Sequence, residues 1–206
     1  MHNKLVKLIK ATIIDIIVAL LVTVTLVIAL EIFLGQEISM VLGVVNTISI
    51  DTENKNVKET EYDTQSNKLK SYPEYGTQYA TIEIPKIDVD LPVYYGDTLE
   101  VLKKGVGHSS GSYFPGEGGS IIFMGHNSKK IFRRFSELQL KDKITIKANY
   151  GEFTYQIYDM QIVNETETEK LPIQQDEEIL MVYTCYPFNN IGYATQRYVV
   201  YAKLVK

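Results

Sequence analysis

The sequence predicts a mainly β protein: a small closed barrel of seven or eight strands with one or two short helices, set behind one N-terminal transmembrane helix. Three observations predict it. Residues 12–34 form an apolar run whose only charges, Asp15 and Glu31, lie near its ends. Residues 51–78 turn polar, and residues 79–206 break into short Val-, Ile-, Tyr- and Thr-rich segments separated by Gly, Pro, Asn and Asp. A chain of 206 residues accommodates one domain of about 120–150 residues plus extras. Its composition, 45% apolar and 22% charged, supports a packed core and argues against a disordered or low-complexity chain.

The elements follow in order. Residues 1–11 are a basic tail carrying Lys4, Lys7 and Lys10. The apolar run 12–34 reaches roughly 34 Å as a helix, against about 30 Å of hydrocarbon in a bilayer. Lysines on its N-terminal side predict a cytoplasmic N-terminus and an extracellular remainder. The run is long for a signal-peptide core and no Ala-x-Ala site follows it, so it reads as an uncleaved anchor. Residues 35–78 form a juxtamembrane segment and polar tether. Within them, the apolar stretch 38–50 is too short to cross independently and is expected to extend the anchor or lie at the interface. Ten of the 28 residues at 51–78 are charged and the apolar ones follow no period, which predicts a tether whose function is reach, with a polar helix lying on the domain surface as the lesser alternative for part of it.

Expected strands occupy 80–84, 89–94, 120–126, 144–148, 153–163, 179–185 and 197–205, with helical signals at 98–104 and around 128–138. Alternation in Phe153-Thr-Tyr-Gln-Ile157 marks a half-buried strand. The unbroken run Ile179-Leu-Met-Val-Tyr183 predicts a central one covered on both faces.

Composition also excludes functions. A net charge of −4 does not favour nucleic acid. One cysteine cannot form an internal disulfide, and three histidines with one cysteine make no zinc pattern.

Cys185 is the first chemical candidate. It ends an apolar strand and precedes the loop Tyr186-Pro-Phe-Asn-Asn190, so it belongs at a barrel rim, where an unpaired extracellular thiol is a liability unless used. A nucleophilic cysteine works as its thiolate and needs a nearby cation or base. Arg197 lies twelve residues on. If the last two strands are antiparallel neighbours across one loop, Cys185 and Arg197 emerge side by side, with Arg197 the polar terminus of a face shared with Val199 and Tyr201. His126 also ends a strand, in Met124-Gly-His-Asn127, and belongs at a rim. His108 is expected on the flexible loop Gly105-Val-Gly-His-Ser-Ser-Gly111, lining the site; neither GxGxxG nor a P-loop lysine makes that loop a phosphate cradle. His2 lies on the basic tail and is incidental.

Gly125-His126, then Thr184-Cys185-Tyr-Pro-Phe188, then Gln196-Arg197-Tyr-Val-Val200 together resemble the sortases, cysteine transpeptidases that attach proteins to Gram-positive cell walls. Gly105-Val-Gly-His108 and Phe114-Pro-Gly-Glu-Gly-Gly119 match as well, the similarity covers residues 79–206, and the Tyr-Pro-Phe and Gln-Arg features are most similar to class D. The chain departs at Met181-Val-Tyr-Thr184, where Thr-Leu-x-Thr is common, and at Asn127, where a basic residue commonly follows the histidine. No Asp-Pro-aromatic lid motif precedes the domain.

The resemblance implies an extracellular sortase-like catalytic domain at 79–206 that cleaves a Leu-Pro-x-Thr-type sorting signal after Thr through a thioacyl-enzyme. The protein would then pass to a cell-wall precursor amine. It implies Cys185 as nucleophile, His126 as general acid–base and Arg197 as donor to the oxyanion or substrate backbone, with Thr184 and His108 as substrate-binding candidates. Its partners are surface proteins with C-terminal sorting signals, the cell-wall amine and the membrane. No cofactor is expected. Calcium held by the acidic cluster Glu165, Glu167, Glu169, Asp176, Glu177 and Glu178 is the lesser alternative to a solvated loop, because no EF-hand pattern is present. Two rival readings lack the transfer: a membrane-tethered binding module that leaves Cys185 inert, and a thiol redox sensor that uses the cysteine without transfer chemistry.

Overall fold

The computed structural model describes residues 13–30, 60–66, 68–174, 176–188 and 193–205. The chain divides into two units. In the first, helix α1 (Ile13–Leu30) is continuous and apolar, with every described residue exposed. Thr23 and Thr25 return their hydroxyls to carbonyls three and four residues back, at 2.9–3.0 Å, which hides the polar groups of an otherwise apolar surface. The basic tail and the stretch 38–50 lie outside the described residues.

The second unit is built on a closed eight-stranded barrel. A short hairpin of β1 (Tyr62–Asp63) and β2 (Lys68–Leu69) precedes it. The barrel strands are β3 (Gln78–Ile84), β4 (Val89–Tyr95), β5 (Val106–His108), β6 (Ser120–Met124), β7 (Lys143–Ala148), β8 (Gly151–Asn164), β9 (Ile179–Tyr186) and β10 (Gln196–Leu204). Around the barrel the order is β10-β8-β7-β3-β4-β5-β6-β9, closing on β10. Closure removes both sheet edges, so these strands need no charged or proline-blocked border. Pairing is antiparallel except for β4–β5 and β6–β9. The crossover after β4 contains the short helix α2 (Leu99–Leu102), whose first turn is capped by Thr98.

Interior and exterior alternate along each strand. Inward Ile121, Phe123, Leu180, Val182, Val200 and Ala202 join the main core with Ile82, Ile84, Ile144, Ile146 and Tyr155. Outward Ile122, Ile179, Met181, Val199 and Tyr201 form a second buried cluster with Val163, against which Leu171 packs. The connection from β8 to β9 therefore lies over the outer face, pinned where the Tyr201 hydroxyl donates to Lys170 O at 2.9 Å. Both faces of β9 are covered, which explains its unbroken apolar run.

Three local expectations are corrected. The 105–111 glycine segment is not wholly a loop: Val106–His108 is β5, a strand too short to show a period. The helical signal around 128–138 yields only a 3₁₀ turn, Arg133–Glu137, because packing of Phe132 on Phe135 (ring centroids 4.2 Å apart) fixes a tighter connection. The described residues of 60–78, expected within the tether, are folded onto the barrel. Tyr62 stacks on Tyr150 at 5.6 Å, and Glu117 accepts from the Leu69 amide at 3.1 Å and the Tyr72 hydroxyl at 2.9 Å. Isolated aromatics in a polar segment leave no period, yet three or four docked rings suffice to hold it.

Candidate active site

β6, β9 and β10 are consecutive around the barrel, and their registers determine what meets at one rim. In the antiparallel β9–β10 pair, Cys185 stands directly opposite Arg197. Directly opposed residues bring their Cβ atoms to about 4.5–5.5 Å on one face. In the parallel β6–β9 pair, Met124 matches Tyr183. The ladder runs one step further, with the Gly125 amide donating to Tyr183 O at 3.1 Å. His126 thus leaves β6 level with Cys185, and by alternation it follows Ile122 and Met124 on the outer face, where Cys185 follows Met181 and Tyr183. Cys185 and His126 are both partly exposed.

The turn carrying His126 is tightly held. The His126 carbonyl accepts from the Ser128 amide at 2.9 Å and the Phe132 amide at 3.2 Å. Gly125 is required by close approach: a Cβ there would lie 2.5 Å from the Phe132 ring and 2.9 Å from Ile131 Cγ2. Burial lowers the His126 pKa below its ordinary value, which favours a neutral imidazole. Asn127 Nδ2 donates to Pro187 O at 3.1 Å and ties this turn to the segment after Cys185.

Arg197 is held by three acceptors. Nη1 donates to Ala194 O at 2.6 Å and Gln196 O at 2.9 Å, and Nη2 donates to Glu165 Oε2 at 2.9 Å. Sequence reasoning grouped Glu165 with an acidic cluster and missed this contact. The signal lay in the β8–β10 register, where Arg197 pairs with Val163 and Gln196 with Asn164, and that register cannot be read from the chain.

Two substrate-binding expectations are corrected. His108 is fully buried inside the barrel, against Phe114 (centroids 4.5 Å apart) and Phe123 (5.2 Å). Its Nε2 faces the Tyr113 carbonyl at 3.1 Å and so carries the hydrogen, which leaves Nδ1 to accept from the Tyr79 hydroxyl at 2.9 Å. Burial drives its pKa down to about 3, so the ring is neutral and structural. Thr184 alternates with Cys185 and turns inward; its side chain is buried and its hydroxyl donates to Gly125 O at 2.8 Å. It braces Gly125, the residue before His126, and is not open to solvent.

The acidic cluster is dispersed among separate partners. Glu165 binds Arg197 and Tyr193, Glu167 Oε2 receives both the Asn164 amide and its side chain, and Glu177 pairs with Lys203 at 2.6 Å. Glu178 accepts from the amides of Gly116 and Gly118 at 3.0 Å and from the Tyr155 hydroxyl at 2.6 Å. Among the described residues no three His, Cys, Asp or Glu side chains come together as a metal site.

At the rim, then, a partly exposed thiol is opposed by a bracketed guanidinium and flanked by the turn of a neutral imidazole, an arrangement suited to acyl transfer through sulfur. Comparison with known proteins agrees. A sortase domain model matches residues 82–205. Sortase D of Bacillus subtilis (strain 168) is 41% identical over 143 residues, covering 69% of this chain and 72% of that protein. The structure of the Clostridium perfringens Sortase D5 transpeptidase superposes with a TM-score of 0.59 at 32% identity, over 65% of this chain and 82% of that one. Sortase C-1 from Actinomyces oris gives 0.57 at 27% identity, over 62% and 73%. A closed barrel with this rim, matched across most of its length by these relatives, belongs to the sortase family of cysteine transpeptidases.

Proposed function

We propose that the chain is a membrane-anchored transpeptidase that cleaves a Leu-Pro-x-Thr-type sorting signal after Thr and transfers the protein to a cell-wall amine. The reading rests above all on the adjacency of Cys185, His126 and Arg197 at the ends of three neighbouring strands. Cys185 sulfur bonds to the Thr carbonyl carbon while neutral His126 takes the thiol proton. His126 then gives that proton to the departing amine as the peptide C–N bond breaks. The thioacyl-enzyme is resolved in reverse: the acceptor nitrogen bonds to the acyl carbon, the carbon–sulfur bond breaks, and His126 takes the proton shed by the new amide and returns it to the Cys185 sulfur. Arg197 donates to the oxygen that gains charge in both steps; one such donor is typically worth about 3 kcal/mol of barrier. These steps balance without a cofactor.

Helix α1, Ile13–Leu30, spans about 27 Å at 1.5 Å per residue. With the adjoining apolar residues of 12–34 it suits a single-pass anchor, and Lys4, Lys7 and Lys10 favour a cytoplasmic N-terminus. The substrates are surface proteins bearing C-terminal sorting signals.

The test uses the full chain in detergent, a panel of Leu-Pro-x-Thr-Gly peptides and an amine acceptor, with intact mass reporting the acyl adduct. A peptide-sized mass increase on wild type, lost in Cys185→Ala, together with amine-dependent product, is the expected result. Turnover persisting in Cys185→Ala overturns the reading. Ligand binding without an adduct points to a binding module, and peroxide-reversible partner binding without transfer points to a redox sensor.

A further inference from the structure

Arg197 projects from a strand end on a long flexible stem, and an unsupported guanidinium there would sample many positions. Here it is bracketed. Glu165, the first residue after β8, places Oε2 at 2.9 Å from Arg197 Nη2, and its other carboxylate oxygen receives the Tyr193 hydroxyl. The backbone locks the same corner, since the Glu165 amide donates to Thr195 O at 2.9 Å. The two side chains are only 22% and 27% exposed, so the pair is sheltered from solvent screening. A guanidinium has five N–H donors. Three are engaged by Ala194 O, Gln196 O and Glu165 among the described residues, which leaves two for a substrate.

We propose that Glu165 is a positioning residue for transfer: it orients Arg197 so that its remaining donors meet the reacting acyl group. Through Tyr193 it also joins the β8–β9 connection to the β9–β10 connection. The proposal rests on the role given to Arg197 above. A carboxylate beside the guanidinium draws off part of its positive charge and weakens it as an oxyanion donor. The benefit of Glu165 is therefore geometric, and that separates it from a general electrostatic effect.

Four variants of the full chain in detergent test this, with kcat and KM measured on a cleaved sorting peptide and thermal unfolding as the folding control. Glu165→Ala is expected to lower kcat by about 10- to 100-fold, the range for misplacing a catalytic group by roughly 1 Å, with KM changed less than about 2-fold. Glu165→Asp keeps the charge but withdraws the acceptor by one methylene, and is expected to lose about 10-fold in kcat. Glu165→Gln keeps the acceptor without the charge and restores kcat to within about 3-fold of wild type. That order of Gln above Asp also decides the matter should Glu165→Ala fail to fold. The proposal is overturned if Asp matches wild type while Gln is as poor as Ala, or if all three retain wild-type kcat while Arg197→Ala loses it. If Arg197→Ala itself retains wild-type kcat, the role given to Arg197 fails and this inference falls with it.

Discussion

Acidification is expected to loosen the barrel through His108. The folded-state pKa of His108 is about 3 and its ordinary value is 6.5, because the fully buried ring cannot be charged without loss of solvation. The unfolded chain binds the proton that the folded chain refuses. Stability from the neutral ring is therefore complete above about pH 6.5 and falls by about 1.4 kcal/mol per unit as pH drops towards 3. Between about pH 6.5 and 4.5 that amounts to about 2 kcal/mol, a large share of a typical domain's 5–15 kcal/mol. Carboxylates also titrate in this window, so the comparison is with His108→Gln, which cannot take the proton. Urea unfolding followed by tyrosine fluorescence, which the 15 tyrosines and absence of tryptophan make usable, should show wild type losing about 2 kcal/mol more than the variant over that interval. Ring-nitrogen NMR should find His108 neutral throughout. Equal pH dependence in the two proteins, or a ring that protonates near pH 6, refutes the reasoning. A raised KM for peptide in folded His108→Gln would return the histidine to a role in substrate binding.

Thr184→Val keeps the shape but removes the hydroxyl held at 2.8 Å by the Gly125 carbonyl. A buried acceptor left unmatched should lower unfolding free energy by about 1–3 kcal/mol and depress kcat through the neighbouring His126 turn; unchanged stability would dismiss the brace. Because burial lowers the His126 pKa, the acid limb of kcat/KM assigned to that group should fall below about pH 6.5, and a limb above that value would contradict the neutral imidazole.

Much of the molecule was legible in the chain because strands carry period-2 patterns and Gly, Pro and Asn punctuate them. The seven longer barrel strands were located within a few residues, and the two-sided burial of β9 followed from Ile179–Tyr183. Opposition of Cys185 and Arg197 was readable too, since two antiparallel neighbours joined by a short loop align their ends. Strand ends, loop signals and the family motif likewise singled out His126. Its alignment with Cys185 depended on a parallel pair more than fifty residues apart in the chain, which no local pattern specifies.

Composition, the apolar helix near the N-terminus and the alternation of side chains were determined by the sequence alone, because each depends on residues near one another along the chain. Which face His108 and Thr184 turn to, how the described residues of 60–78 are bound, and which carboxylate grips Arg197 were decided only by the closed barrel. Closure sets a register between distant strands. A one-residue slip in that register would turn every side chain of a strand to the opposite face.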